Sequence, residues 1–256
     1  MSALLEEPAL RGIELGSARW FQVQRDLITQ RPLVKRTYDT WYSAMLADAA
    51  SVPSSSGRVL ELGSGANYVK LIDPSVITSD VVPGSDMVVD GQALPFGAEE
   101  LRAIFLTHVF HHVPEPERFL DEAVRTLVPG GVVAFIDVAH TPLARLLFGK
   151  FHPEAYDGSV QDWKLDPHGP YGGANQAMSW MVFVRDKARF EARFPALRIE
   201  RVELLPWFGY LLSGGLTRRN LIPSAAVPVL QWLDRATTAL NPLCALHWHI
   251  RIRKVC

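Results

Sequence analysis

Residues 59–67 have the sequence Val-Leu-Glu-Leu-Gly-Ser-Gly-Ala-Asn. Apolar residues lead into an acid and a glycine, and a second glycine follows, so we expect a buried strand that turns sharply towards a helix. Gly63 and Gly65 permit backbone angles that a side chain would forbid, and they let a ligand come close. In an open α/β sheet such a turn lies beyond the carboxyl end of a central strand, where nucleotides bind.

The same turn departs from the dinucleotide fingerprint G-x-G-x-x-G. That fingerprint requires a third small residue at position 68, where helix and strand pack closely over a pyrophosphate, and this chain has Tyr68. Glu61, which precedes the first glycine by two residues, is not part of the fingerprint either. An NAD(P)-dependent oxidoreductase therefore stays open as an alternative, but it is not the interpretation that the turn favours.

Two acids follow at the ends of the next predicted strands, 76–80 and 87–90. Asp80 lies at about the distance from the glycine turn at which a ribose-binding acid is expected. A carboxylate can accept two hydrogen bonds at once, and a ribose offers two adjacent hydroxyls. Asp90 ends the second of these strands and is followed by Leu-Pro-Phe at 94–96.

These segments resemble the class I S-adenosylmethionine-dependent methyltransferases. Residues 61–67 are similar to the first motif of that family, E/D-x-G-x-G-x-G, with Asn67 in place of the last glycine. Asn tolerates left-handed backbone angles better than most residues, so we expect the turn to survive. Residues 90–96 resemble the D-x-x-x-L-P-F signature of the type-11 group, typified by the ubiquinone and menaquinone biosynthesis enzymes. Residues 103–114 resemble its fourth motif, and a helix, Pro-Gly-Gly and a strand over 115–137 complete the match.

The resemblance implies S-adenosylmethionine as the cofactor, with Asp90 accepting from the adenine amino group, a role for which a dehydrogenase has no need. It also implies an α/β fold: a Rossmann-like, seven-stranded mixed sheet with helices on both faces and a last, antiparallel pair of strands, here 197–204 and 246–253. The residues that it assigns to the cofactor are Glu61, Gly63, Ser64, Gly65, Asn67, Asp80, Val81, Asp90, Gly91, Gln92, Thr107 and His108.

Three histidines follow the fourth predicted strand. His108 lies nearest to the strand end, and His111 could face the methyl acceptor; with a pKa near neutrality, either is a candidate to take a proton from an acceptor hydroxyl. We expect His112 to brace the next helix. We predict no metal site, because neither the spacing nor a neighbouring group of cysteines or carboxylates supports one.

The remaining segments are assigned around a methyltransferase domain over 58–256. Residues 1–57 are predicted to be helical, as a lid over the cofactor or, in the interpretation we favour, as a packing face. We expect 138–175 to cover the acceptor, with aromatic residues that include Trp163, His168 and Tyr171. The insert 206–242 is expected to be a helical cap on the sheet or a segment that touches a membrane surface. Strand 246–253 alternates apolar and polar residues, which places His247 and His249 on a solvent face.

Composition restricts the partners. The chain has 256 residues, 48% of them hydrophobic, and a net charge of -1, which does not indicate a nucleic-acid binder. We find no secretory signal and no apolar run long enough to span a bilayer, so we expect a cytoplasmic protein that could still touch a membrane from one side. A small or lipid-like acceptor, methylated on oxygen, is the expected substrate. A methyltransferase-like scaffold without catalysis stays open because of Asn67.

Overall fold

In a computed structural model, residues 7–53, 57–166, 173–220 and 222–255 are described. They form a seven-stranded sheet with the order β3-β2-β1-β4-β5-β7-β6. The first five strands are parallel, and β7 is antiparallel to both β5 and β6. The predicted fold is therefore confirmed. The strands are β1 (Arg58–Leu62), β2 (Ile77–Asp80), β3 (Met87–Val88), β4 (Leu101–Thr107), β5 (Leu127–Val138), β6 (Leu197–Leu204) and β7 (His247–Lys254).

Helices cover both faces of this sheet. The α-helices are α1 (Ala18–Gln30), α2 (Pro32–Ala50), α3 (Pro116–Thr126), α4 (Pro142–Phe151), α5 (Met178–Trp180), α6 (Lys187–Arg193), α7 (Phe208–Ser213), α8 (Val227–Ala236) and α9 (Asn241–Cys244). A π-helix spans Met181–Arg185, and 3₁₀ helices span Pro8–Leu10, Tyr68–Leu71, Phe110–His112, Ser224–Ala226 and Thr238–Leu240. None of the helices in the described ranges has both the length and the apolar character needed to cross a membrane.

The central strands alternate their side chains between two apolar layers. On β4, Ile104 and Leu106 pack with α3 in one layer, while Ala103 and Phe105 pack with α2 in the other. Both layers are buried, as expected for parallel strands that have helices on each face. Of the N-terminal helices, α2 contributes to the core, because its Trp41 and Met45 are buried in the second layer.

The prediction that His247 and His249 lie on a solvent face is wrong, since both are buried. The alternation itself is present, with Trp248 and Ile250 in the first layer. The opposite face is covered, because α2 lies across it: His249 Nε2 is 2.7 Å from Asp48 Oδ2. A polar strand face can thus be buried when a neighbouring helix supplies a carboxylate as partner for its side chains.

Strand β5 begins earlier than predicted and contains the Pro-Gly-Gly segment. Leu127 pairs with Leu101, and the next aligned pair joins Val132 to Ala103, so the residues between them bulge out of the ladder. Gly130 has φ +79° in this bulge. The segment that ends the preceding helix is therefore an irregular part of the strand and not a loop before it.

Candidate active site

The glycine turn after β1 uses the left-handed backbone region at three positions. Gly63 has φ +62°, Gly65 has φ +50°, and Asn67 has φ 51° and ψ 35°. The expectation that Asn67 preserves the turn is confirmed. Its side chain adds contacts that glycine lacks: Nδ2 donates to Gly84 O at 2.8 Å, and Oδ1 accepts from Ser85 Oγ at 2.7 Å.

Gly63 is required for a close approach as well as for its backbone angle. A Cβ placed on this residue would lie 2.3 Å from Cγ2 of Val109, which is closer than such atoms come. A Cβ on Gly65 would meet its nearest neighbour, Phe21 Cε1, at 3.6 Å, which is an ordinary contact. Gly63 therefore joins the turn to the segment after β4, and Gly65 leaves room beside its backbone.

Asp80, at the end of β2, reaches the glycine turn. Its Oδ2 accepts from the Gly65 backbone N–H at 3.1 Å, and its Oδ1 accepts from the Val81 N–H at 2.8 Å. The side chain is buried. Ser64 ties the same two strand ends together, because its N–H donates to Ser79 O at 2.8 Å and its Oγ accepts from Ser79 N–H at 3.1 Å.

Asp90 lies at the neighbouring strand end but makes only local hydrogen bonds among the described residues. Its Oδ1 accepts from the backbone N–H of Gln92 at 2.9 Å and from Gln92 Nε2 at 3.0 Å. The side chain is exposed. Gly91 packs under this turn, where an added Cβ would meet Leu62 Cδ1 at 3.3 Å. The backbone N–H of Val89 donates to Asp80 O at 2.9 Å, which links the two acid-bearing strand ends.

Glu61 is a buried carboxylate below the turn. Tyr42, from α2, donates its hydroxyl to Glu61 Oε1 at 2.6 Å. Burial raises the pKa of Glu61 to about 7, although the hydrogen bonds from Tyr42 and Ser64 act in the opposite direction. Thr107 ends β4 nearby, and its Oγ1 has no hydrogen-bond partner among the described residues.

Helix α1 packs over the glycine turn. Arg25 Nε donates to Ala66 O at 2.7 Å. Phe21 lies beside Gly65 and also within 3.8 Å of a Cβ placed on Gly84. The part of the predicted lid that meets the turn is thus α1, whereas α2 belongs to the core.

His108 follows β4 directly in a backbone conformation that is rare for a residue with a side chain, with φ 58°. Its backbone N–H donates to Ile136 O at 2.9 Å, which fixes this conformation against β5. Its Nε2 is buried without a hydrogen-bond partner in the described residues. Burial lowers the pKa of His108 to about 4, so its ring is neutral at physiological pH. Positive φ at such a residue concentrates at functional sites.

Aromatic rings from four distant segments surround His108. Its ring centroid lies 5.5 Å from that of Trp41 and 4.7 Å from that of His247. Tyr210, from the insert, lies 4.6 Å from His247 and 5.4 Å from Trp41. Phe148 of α4 lies 6.1 Å from His247, whose two ring nitrogens have no partner among the described residues. We call Trp41, His108, Phe148, Tyr210 and His247 the aromatic wall.

His111 is buried and charged. Its Nδ1 lies 2.5 Å from Asp137 Oδ1 at the end of β5, and its Nε2 lies 3.5 Å from Glu154 Oε2. Burial alone would lower the pKa of His111, but the charge of Asp137 and the hydrogen bonds to both carboxylates raise it to about 10. With this pKa, His111 is a cation at neutral pH and is not available as a base.

His112 does not brace the next helix by any contact that the described residues give; its Nε2 lies 3.6 Å from Glu154 Oε1. Burial, with the neighbouring charge of His111, lowers the pKa of His112 to about 4. Burial would raise the pKa of Glu154, but the hydrogen bond and charge of His111, with His112 and His152, hold it well below its usual range.

The segment predicted to cover the acceptor is only partly a loop. It begins with α4, and Ala155 later pairs with Asn175 in an isolated bridge. Trp163 is a core residue, since it is buried and its Nε1 donates to Asp186 Oδ2 at 2.9 Å. His168 and Tyr171 lie outside the described residues. An open cleft of 590 Å³ adjoins this segment and is lined by His140, Arg145, Tyr156, Asp157, Gly158, Ser159 and Trp180.

The residues that the sequence did not identify are those that reach the site from far along the chain. Asp137, Glu154, Tyr210 and His247 belong to this group, and Trp41 was assigned to packing alone. A lone acid or aromatic residue carries no local signal, and only the fold places these side chains beside His108 and His111.

Comparisons with known proteins give a family match for part of the chain and solved structures of similar fold. A family model described as a methyltransferase domain matches residues 60–135. No curated protein matches the sequence. Solved structures with a similar fold include a geranyl diphosphate C-methyltransferase from Streptomyces coelicolor, with 10% identity, a TM-score of 0.49 and coverage of 98% of this chain and 89% of that one.

Two further structures have similar values. A chain of a complex that contains a methyltransferase activator from Haloferax volcanii is 14% identical, with a TM-score of 0.48 and coverage of 90% of this chain and 97% of that one. An S-adenosylmethionine-dependent methyltransferase from Mesorhizobium loti is 15% identical, with a TM-score of 0.44 and coverage of 81% and 96%.

Proposed function

We propose that the chain methylates a hydroxyl group of a small or lipid-like acceptor and that S-adenosylmethionine is the methyl donor; the proposal starts from the match of residues 60–135 to a family model described as a methyltransferase domain. The observation that carries the proposal is the contact between Asp80 and the Gly65 N–H, which supports a cofactor site at the tips of β1 and β2. The family match favours this interpretation over the oxidoreductase.

The residues at these strand tips fit an adenosyl cofactor. Asp80 would hold the ribose hydroxyls, and the backbone of 63–67 would lie along the methionine end, with Ser64 and Val81 beside it. Asp90, Gly91 and Gln92 would meet the adenine, and Asp90 is exposed and able to accept from an amino group. Glu61 and Thr107 support the turn from below. Helix α1, which already contacts Ala66, would close over the cofactor as a lid.

S-adenosylmethionine supplies a methyl group that its sulfonium has already activated, so the protein mainly orients the acceptor, excludes water and takes up a proton. His108 is the better base of the two candidate histidines, because its ring is neutral and Nε2 has no partner among the described residues. The acceptor hydroxyl would give its proton to His108 Nε2 as its oxygen bonds to the methyl carbon, and the electron pair of the broken bond would stay on sulfur. His111 would act as a fixed positive charge or a ligand and not as a base.

The aromatic wall supports a small or lipid-like acceptor. Its rings offer apolar faces, and the unpartnered nitrogens of His108 and His247 offer a few polar contacts, which is the usual make-up of a small-molecule pocket. A net charge of -1 gives no support to a nucleic acid as acceptor. Segment 138–175 would cover the acceptor, since α4 brings Phe148 to the wall.

The insert gives separate support for an acceptor that comes from a membrane surface. Trp207 and Leu211 pack with Leu143 of α4, which supports a cap role for the start of the insert. Helix α8, however, exposes Val229 (58%) and Trp232 (64%). Tryptophan is enriched where one side of a protein meets a lipid interface.

A product screen tests the proposal. Purified protein, S-adenosylmethionine and a library of hydroxylated small molecules and lipids are incubated, and products are detected by the mass shift of one methyl group together with release of S-adenosylhomocysteine. We expect turnover that is lost in His108→Gln and retained in Asp121→Asn, a control change on the exposed face of α3. Binding of S-adenosylhomocysteine without turnover on any acceptor would support the scaffold alternative.

A further inference from the structure

Three side chains converge on one point beyond the carboxyl ends of β4 and β5. Glu154 Oε2 lies 3.5 Å from His111 Nε2, and Glu154 Oε1 lies 3.6 Å from His112 Nε2. The three ligand atoms lie within 4.8 Å of one another. Two imidazole nitrogens and a carboxylate are thus placed as a His₂Glu group, although the carboxylate comes from a segment far along the chain from the two histidines.

The separations match those of ligands on one ion. Zinc binds nitrogen and carboxylate oxygen at about 2.0–2.2 Å, so two ligands on a tetrahedral zinc ion lie roughly 3.4 Å apart. Both histidine–glutamate distances are within a few tenths of an ångström of this value. His112 and Glu154 are 25% and 29% exposed, which leaves a path for an ion.

His111 also has the partner that a metal-binding histidine requires. Its Nδ1–H donates to Asp137 Oδ1, and Asp137 has no exposed surface. A carboxylate behind the ring holds the proton on Nδ1 and raises the basicity of Nε2, which becomes the ligand atom when the ion displaces its proton. This arrangement is independent of Glu154, because Asp137 belongs to β5 and approaches the ring from the opposite side.

The carboxylate is held in place as well. Gln176 Nε2 donates to Glu154 Oε2 at 2.8 Å, and the backbone N–H of Asn175 donates to His111 O at 3.0 Å. The bridge between Ala155 and Asn175 completes the connection between this segment and the histidines. His152 Nδ1 lies 3.7 Å from Glu154 Oε2 and is engaged with Gln176.

We propose that His111, His112 and Glu154 bind a divalent transition-metal ion of the zinc type, with Asp137 orienting His111. Two imidazoles favour such an ion over magnesium or calcium, which prefer oxygen ligands. Three protein ligands leave a coordination position open, as in catalytic and not in structural zinc sites.

The open position gives the ion a role that rests on the proposed function. Val109, between His108 and His111, contacts the glycine turn, and the rings of His108 and His111 are 6.4 Å apart. An acceptor oxygen bound to the ion would therefore be close to the proposed base, on the segment that packs against the cofactor turn. A metal ion lowers the pKa of a bound hydroxyl group, which lets a weak base such as His108 remove its proton.

Metal binding is tested without reference to turnover. The protein is stripped with a chelator, dialysed and titrated with Zn²⁺ by calorimetry, and the visible absorption of bound Co²⁺ reports the ligand set. We expect one ion per chain, with affinity lowered at least roughly 100-fold in Glu154→Gln and in His112→Gln, more than the loss typical of an outer-shell partner. Glu115→Gln and His140→Gln are the matched controls, and each should bind Zn²⁺ as the wild type does.

The outcomes separate the two proposals. Absent Zn²⁺ binding, or equal affinity in wild type and Glu154→Gln, overturns the metal site and leaves a proton-bridged network of His111 with two carboxylates only. Each sample is also titrated with S-adenosylhomocysteine and its unfolding temperature measured. Loss of Zn²⁺ binding with unchanged unfolding temperature and cofactor affinity in Glu154→Gln supports the site. Failure of the wild type to bind S-adenosylhomocysteine would count against the proposed function and leave the Zn²⁺ result standing.

Discussion

The two halves of the carboxyl edge of the sheet are built differently. The edge at β1–β3, which we call the donor edge, consists of backbone turns and acids that are close in sequence, from Glu61 to Gln92. The edge at β4, β5 and β7, which we call the acceptor edge, consists of side chains that distant segments bring together, from Trp41 to His247. The difference teaches that the residues of the proposed cofactor site are encoded locally, whereas those of the proposed acceptor site come together only in the complete fold.

The hydrogen bonds at the donor edge are mostly local. Asp80, Ser64 and Asn67 make hydrogen bonds within the turns that they support. On the acceptor edge, His108 and His247 keep buried nitrogens without partners in the described ranges. Buried polar atoms are normally paired, so these nitrogens are the ones for which a bound acceptor would supply the partner.

The largest expected effect falls on the acceptor edge. His108→Gln removes the proposed base, and we expect kcat to fall by roughly 10²- to 10⁴-fold, the usual contribution of a positioned base. Affinity for S-adenosylhomocysteine should stay within about twofold if the two edges are independent. Turnover assays measure kcat, and calorimetry measures the affinity for S-adenosylhomocysteine. A parallel loss of both would show that the edges are not separate.

Gly63→Ala should destabilise the protein by about 3 kcal/mol, because it combines an unfavourable left-handed angle with a clash against Val109. Gly65→Ala carries only the cost of the angle, about 1–2 kcal/mol. Chemical unfolding of both variants measures the free energies of unfolding. Equal losses would mean that Val109 does not hold the turn to the acceptor edge.

Glu61→Gln tests the buried acid through pH. The pKa of Glu61 is raised to about 7 in the folded protein from an ordinary 4.5, so its contribution to stability is fully present below pH 4.5 and is lost as pH rises to 7. The variant has no such loss. We therefore expect the free energy of unfolding of the variant, relative to that of the wild type, to increase by on the order of 3 kcal/mol between pH 4.5 and pH 8. A difference that does not change between pH 4.5 and 8 would contradict the raised pKa.

Asp80→Ala should weaken binding of S-adenosylhomocysteine by about 2 kcal/mol, or roughly 30-fold, as loss of a charge-assisted contact to the ribose should. Asp90→Ala should reduce the binding free energy by less, because that carboxylate is exposed and would accept a single hydrogen bond. Calorimetry on both variants ranks the two acids. A larger loss for Asp90 would reverse their assigned roles.

The smallest effect is expected at Asn67. Asn67→Gly tolerates the left-handed angle but loses the hydrogen bonds to Gly84 and Ser85. Asn67→Ala loses the same hydrogen bonds and is also strained at the left-handed angle. We expect losses in unfolding free energy of at most about 1 kcal/mol for Gly and about 1–2 kcal/mol for Ala. Thermal unfolding distinguishes them, and a more stable alanine variant would contradict the backbone argument.

The glycine turn and the strand ends that carry Asp80 and Asp90 could be predicted because their signals are local, and the seven-stranded sheet was predicted from the family resemblance. Glycines, strand-ending acids and Pro-Gly-Gly segments each follow from a few neighbouring residues. Asn67 was a departure from the family pattern, but its known backbone tolerance was enough to predict the turn correctly.

The acceptor edge could not be predicted for the same physical reason. Nothing near His111 in the sequence indicates that Glu154 will lie against it, because a single acid in an irregular segment resembles a surface residue. His247 and His249 were assigned to solvent from alternation alone, which cannot tell whether Asp48 and Trp41 of a helix cover the polar face. Pairing between distant segments is set by the packed fold and not by local pattern.

The central claim is that the donor edge binds an adenosyl methyl donor and not a dinucleotide. Calorimetric titration of the wild-type protein with S-adenosylhomocysteine, and separately with NAD, tests it most directly. We predict micromolar binding of S-adenosylhomocysteine at one site per chain and no measurable heat from NAD. Micromolar NAD binding without S-adenosylhomocysteine binding would contradict the claim.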